Sequence, residues 1–227
     1  TPVSSYISTS NLLNGWISTT VWTYASASTF TIAGDYTGVY KLGVRVRWTQ
    51  TTVKYGVVVS SSYGAPNTTV TIAVNTDYVI ANAEITAQAY SYTSDPLGWP
   101  AWFAFTPSWT NLTVGNATVA AAYTVVDKTL LFSVALTFGN TTSISGAVSF
   151  ALPINAATTS HAGLCRFFDA NVGSVPGSCF LSSTSACGIR AINSAGTYLA
   201  EVALSSTVPF TWADTDNIVL SGFYRLA

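Results

Sequence analysis

The chain has 227 residues, of which 49% are apolar, 13% aromatic and only 7% charged, where an ordinary soluble domain carries about 25% charge. Eight basic and nine acidic residues leave a net charge of −1, which argues against nucleic-acid binding by phosphate neutralisation, since that needs a basic face. Seven Trp, twelve Tyr and eleven Phe are too many buriable side chains for a disordered chain, and no apolar run reaches the ~18 residues of a membrane-spanning helix.

From the N-terminus, Thr1-Pro2-Val3-Ser4-Ser5 has neither the basic start nor the apolar run of a signal peptide. Methionine is absent, which implies a removed initiator or a start inside a longer polypeptide. Phe30-Thr31-Ile32, Gly43 to Trp48, Val53 to Val59 and Thr69 to Val74 then alternate apolar and polar, or run apolar, for a few residues each. β-branched and aromatic residues dominate them, which predicts strands. Gly34-Asp35, Thr37-Gly38, Gly64-Ala65-Pro66-Asn67 and Asn75-Thr76-Asp77 supply turns at antiparallel spacing. Asp77 to Ala89 has some helical spacing but reads as a turn followed by a strand. Arg45 and Arg47 fall on one face of a strand and make a small positive spot, with Asp35 or Glu84 as their expected ion-pair partners.

The texture changes at Ser94-Asp95-Pro96-Leu97-Gly98-Trp99-Pro100-Ala101-Trp102, where two prolines and a glycine forbid regular structure. Residues 95–108 are read as a Pro/Trp-rich connector between an N-terminal β domain, residues 1–94, and a C-terminal one, residues 109–227. Trp99, Trp102 and Trp109 are expected to seal a joint between domains or subunits, with a sugar-stacking platform as the alternative. Beyond the connector, Tyr123 to Phe138 reads as a hairpin turning at Asp127-Lys128. Ser143 to Leu152 is a strand stopped by Pro153, and Thr197 to Leu204 and Ile218 to Tyr224 close the chain. The fold class is therefore all-β: a small N-terminal β-barrel or sandwich followed by a C-terminal jelly-roll-like β-sandwich. Strand should exceed about 40% of the chain and helix stay below about 10%.

Few residues offer chemistry. Cys165, Cys179 and Cys187 all lie in one stretch without CxxC spacing. With His161 they number enough for a zinc site, but buried free thiols or one disulfide are the favoured reading. His161 is the only histidine and no Gly-x-Ser-x-Gly elbow occurs, so a catalytic triad is not expected. Asp214 and Asp216 form the closest carboxylate pair; side-chain caps on a turn before the last strand explain them better than glycoside hydrolysis or calcium binding. Asn67, Asn111, Asn116 and Asn140 begin Asn-x-Ser/Thr sequons, which arise readily by chance in so Thr-rich a chain. No catalytic residue, metal or other cofactor is expected.

Gly34 to Gln50, continued by Lys54 to Val58 and closed by Asp95-Pro96-Leu97-Gly98-Trp99-Pro100, resembles a module of tailed-bacteriophage virion proteins, over residues 15–105. The hairpin before Phe138-Gly139 and the endings Pro209 to Asp214 and Ile218 to Tyr224 resemble terminal jelly rolls of phage fibres and head-decoration proteins. The resemblance implies a virion surface protein, commonly a homotrimer, that contacts other capsid or tail proteins. A host surface glycan is a further partner, while nucleic acid and membrane are not. The matching positions are glycines, aromatics and turn residues, so the resemblance carries over no catalytic residue. Trp99, Trp102, Trp109, Arg45 and Arg47 remain the candidates for surface or interface contacts.

Overall fold

A computed structural model describes residues 14–75 and 78–227. Strands occupy 57% of the chain and helix 1%, so the fold is all-β, a barrel-like sandwich followed by a larger sandwich. The chain divides into two compact units between Phe103 and Ala104.

The first unit holds β1 (Ile17–Ser18), β2 (Thr23–Ser26), β3 (Thr29–Ala33), β4 (Arg45–Gln50), β5 (Thr52–Gly64), β6 (Asn67–Ala73) and β7 (Thr86–Ser91). They form one sheet in the order β1-β7-β4-β5-β6-β3-β2, antiparallel throughout. Alternation sets which face is buried: Phe30 and Ile32 on β3, Val46 and Trp48 on β4, and Val70 and Ile72 on β6 all enter one core. Trp22 stacks on Phe30 with ring centroids 3.9 Å apart and also lies 6.3 Å from Trp48. Two strands stand between β3 and β4 in the sheet, so the sheet curls around this indole. Each such large side chain, fully buried, stabilises the fold by about 1.5–3 kcal/mol. The β5–β6 hairpin turns at Ala65-Pro66, with Gly64 paired to Asn67. Part of the turn expected at Asn75-Thr76-Asp77, and the start of the segment from Asp77, lie outside the described residues.

The second unit contains β8 (Phe103–Ala104, beginning at the boundary), β9 (Trp109–Thr113), β10 (Thr118–Val126), β11 (Thr129–Thr137), β12 (Ser143–Ala151), β13 (His161–Asp169), β14 (Gly173–Ser183), β15 (Ala186–Asn193), β16 (Ala200–Ala203) and β17 (Asn217–Arg225). Its sheet runs β8-β10-β11-β17-β13-β14-β15-β12-β9, with β16 beside β15. Four strands stand between β11 and β12 in that order, yet the rings of Phe132 and Phe150 lie 6.0 Å apart. The sheet therefore folds back over its own apolar face. Leu130, Phe132, Val134 and Leu136 alternate into that core from β11, and Ile218, Leu220 and Tyr224 enter it from β17.

The hairpin of β10 and β11 turns where expected: Val126 pairs with Thr129, and Asp127 takes φ 54°. Three long strands, β13, β14 and β15, occupy a stretch in which the sequence marks none. The strand expected from Thr197 to Leu204 shortens to β16.

Candidate functional site

Arg45, Arg47 and Trp99 come together on one face of the first sheet. Val46 and Trp48 point into the core, so alternation turns the two arginines to the other side of β4. There the Arg47 guanidinium carbon sits 4.8 Å from the centre of the Trp16 ring, and that of Arg45 sits 5.8 Å from the Trp99 ring. Trp16 and Trp99 lie 6.1 Å apart, and both pack on Tyr55 of β5. The Trp16 indole N–H donates to the Leu97 carbonyl at 2.9 Å, and the Leu97 N–H donates to the Asn14 carbonyl at 2.9 Å. The Pro/Trp segment is thus pinned down over β4 and β5.

This corrects the expected surface spot. Arg45 is 3% exposed and donates to the Gly43 carbonyl at 3.1 Å, so its charge is buried against an indole face and cannot serve as a surface contact. The Asp35 carboxylate accepts from the backbone and hydroxyl of Thr37, and those bonds hold its pKa below the ordinary value.

Trp102 is 48% exposed. Trp109, on β9 of the second unit, pairs with Phe150 of β12, their rings 5.4 Å apart. Its indole nitrogen is buried without a hydrogen-bond acceptor among the described residues.

The two aspartates separate. Asp214 is exposed, whereas Asp216 is 0% exposed and accepts the backbone N–H of Ala213 at 2.7 Å and of Ala170 at 3.0 Å. Asp216 fastens a turn, as its spacing indicates. The three cysteines are free and buried on adjacent strands β13, β14 and β15. The Cys179 S–H donates to the Ser221 carbonyl at 3.9 Å and that of Cys187 to the Gly188 carbonyl at 3.7 Å. No group of three or more His, Cys, Asp or Glu side chains converges as a metal site among the described residues. Three of the four sequon asparagines are tied by side-chain hydrogen bonds: the Asn111 amide, on β9, donates to the Ala147 carbonyl, and that of Asn116 to Asn140 Oδ1.

His161 opens β13 opposite Phe180 of β14, and it is exposed. Clefts of 310 and 240 Å³ lie on either side of it and share Ser160 and His161 as a common wall. In the first, Arg190 lies over the Phe180 ring at 4.7 Å and faces Glu201 at 4.0 Å. The Ser178 hydroxyl donates to the Glu201 carboxylate. The second is walled by Phe223, Arg225 and Thr129. Spacing alone points to none of this, because the contributing side chains come from six separate segments. A 510 Å³ groove in the first unit runs between Trp22 to Tyr24 and the Asn82 to Gln88 segment. Its most polar side chains are Asn82, Glu84 and Gln88.

No protein-family model, curated protein or solved structure matches the chain.

Proposed function

We propose that the chain is a non-catalytic structural module of a bacteriophage virion surface protein, of the fibre or capsid-decoration kind, and that it works as a homotrimer. One observation carries the reading. The separate segments that resemble the phage module, Gly34 to Val58 and Asp95 to Pro100, pack as a single piece: Trp99 lies on Tyr55 and Arg45, and the hydroxyl of Tyr55 fills the space beside Gly98. β4 is covered on both faces, by the core on one side and by this aromatic and arginine layer on the other. Such a piece is built to persist, not to open around a substrate.

Assembly is supported by what one copy exposes. In a chain with 7% charge, Val172, Tyr198 and Leu199 are 87%, 84% and 72% exposed at turns of the second unit. Exposed apolar side chains with little charge around them are covered by association, and closed symmetry covers them without further growth. Light scattering on the purified chain at micromolar concentration should give three times its mass of 23.9 kDa. A monomer mass, unchanged in Tyr198→Ser with Leu199→Ser, overturns the trimer. Antibody labelling of phage particles in the electron microscope tests the virion placement, and particles devoid of label overturn it.

A further inference from the structure

We propose that the two clefts flanking His161 form a binding site for an acidic saccharide, a sugar bearing a carboxylate. The site is independent of the virion reading, because it is built wholly within the second unit and needs no partner copy.

The ridge between the clefts is fixed. The strap that carries Thr158, Thr159 and Ser160 is tied at one end by the Ala157 N–H to the Arg225 carbonyl at 2.8 Å. At the other end the Leu181 N–H donates to the Ser160 carbonyl at 2.8 Å. Ala156 also bridges to Leu226. Two clefts with a rigid common wall need little ordering when a ligand enters, which lowers the cost of binding.

The two sides carry complementary chemistry. On one, Arg190 sits over the Phe180 ring and beside Glu201, itself held by Ser178. At 4.0 Å the ion pair exceeds hydrogen-bond length, so it does not consume the guanidinium's five donors. Those donors, in a planar fork, suit a carboxylate. On the other side Phe223 is 63% exposed and lies directly opposite Leu131 across the β11–β17 ladder. An exposed aromatic ring with an apolar neighbour offers a platform for the C–H face of a sugar ring.

Charge decides the class of sugar. Arg190 is balanced by Glu201, but Arg225 adds a second exposed cation. The site is thus positive within a chain of net charge −1. Hydroxyls of Thr129, Thr158 and Ser160 line the walls, matching a polyhydroxyl ligand better than an acidic peptide. Volumes of 310 and 240 Å³ stand at or below the lower end of the ~300–1,000 Å³ range of small-molecule sites, so each cleft suits a small ring.

The single histidine makes the test direct, because its imidazole Cε1–H gives one nuclear magnetic resonance signal in the intact chain. Sialyllactose and trigalacturonate, titrated separately, should shift that signal saturably with a Kd near or below about 1 mM. Lactose should not. Arg190→Ala should weaken binding about tenfold or more and Phe223→Ala by a similar factor. Both side chains are exposed, so both variants should keep the parent's circular dichroism. No saturable shift with either acidic sugar overturns the proposal. Equal shifts from lactose overturn the carboxylate assignment, and equal shifts from a short polyglutamate peptide overturn the saccharide. Undiminished binding in both variants overturns the placement.

Discussion

The carboxylate of Asp216 accepts the backbone N–H of Ala170 at 3.0 Å, joining the turn before β17 to the turn between β13 and β14. Its second oxygen takes the Ala213 N–H at 2.7 Å, and the group is wholly buried. Asp216→Ala leaves two backbone donors without acceptors, each worth about 1–3 kcal/mol. The C-terminal unit should lose about 2–4 kcal/mol, read as a lower urea midpoint. Asp214→Asn, at an exposed position, should stay within about 0.5 kcal/mol of the parent. Equal losses in the two variants would show that neither aspartate is distinguished by its contacts.

Gly163 and Gly222 face each other where β13 meets β17. A Cβ on Gly163 would press into the Ser221 carbonyl, and one on Gly222 into the Ala162 carbonyl. Backbone cannot give way as a side-chain tip can, so either alanine must push the central strands apart. Each substitution should cost about 3 kcal/mol. Gly38→Ala, with nothing within 4 Å of the added carbon, should cost no more than about 0.5 kcal/mol. Thermal melts of the three variants check the contrast.

These glycines also explain which part of the fold is hidden in the sequence. β10 and β11 are legible because Tyr123 to Phe138 is nearly continuous in β-branched, aromatic and aliphatic residues around one polar turn. β13 to β15 are not, because Gly163, Gly173, Gly177 and Gly188 break the pattern that marks a strand. Gly177 and Gly188 make room for the rings of Phe167 and Phe180, a tertiary demand that propensity does not express. The opposite faces of Val46 and Arg47 follow from period 2. That Arg45 would be buried under Trp99 does not, since the contact joins distant segments of chain. The clefts at His161 have the same origin: the histidine stands out as the only one in the sequence, but Arg190, Glu201 and Phe223 reach it only through the ladder.

Alkaline titration should separate the tyrosines. Burial pushes the Tyr40 phenol up to about 12, against smaller opposing hydrogen bonds with Thr19 and Trp22. Burial also raises Tyr123 and Tyr224. The unfolded phenol ionises near pH 10, so the folded state holds its proton longer. The stability Tyr40 contributes is intact below about pH 10 and is lost as pH rises toward about 12. Phenolate absorbance should show a late group of tyrosines that ionises only with unfolding. Tyr40→Phe removes one member of that group and leaves the Trp22 indole N–H without its acceptor, at a cost of about 1–3 kcal/mol. A titration in which all twelve tyrosines ionise together near pH 10 in the folded protein would contradict this.

The cysteines should be inert in the folded chain. The Cys187 S–H donates to the Gly188 carbonyl at 3.7 Å and that of Cys179 to the Ser221 carbonyl at 3.9 Å, while interaction with the Cys179 sulfur, then burial, raises Cys165 and Cys187 above their ordinary pKa. Cys179 and Cys187 are 0% exposed and Cys165 only 6%, so a reagent has no path to sulfur until the strands part. Cys165 pairs in register with Gly177, and Cys179 with Gly163, which makes Cys165 and Cys179 diagonal neighbours. Diagonal positions in a ladder have Cα atoms about 7–8 Å apart, beyond the usual reach of a disulfide. Iodoacetamide at neutral pH should leave all three thiols unmodified in the native protein and alkylate all three in denaturant, as counted by intact mass. Air oxidation should form no internal bridge. Cys179→Ser swaps the buried central thiol, a weak donor to the Ser221 carbonyl, for a smaller, more polar hydroxyl in an apolar core, and should destabilise the unit by about 1–3 kcal/mol. Rapid native alkylation at any one cysteine would mean that β13 to β15 open far more readily than their ladder indicates.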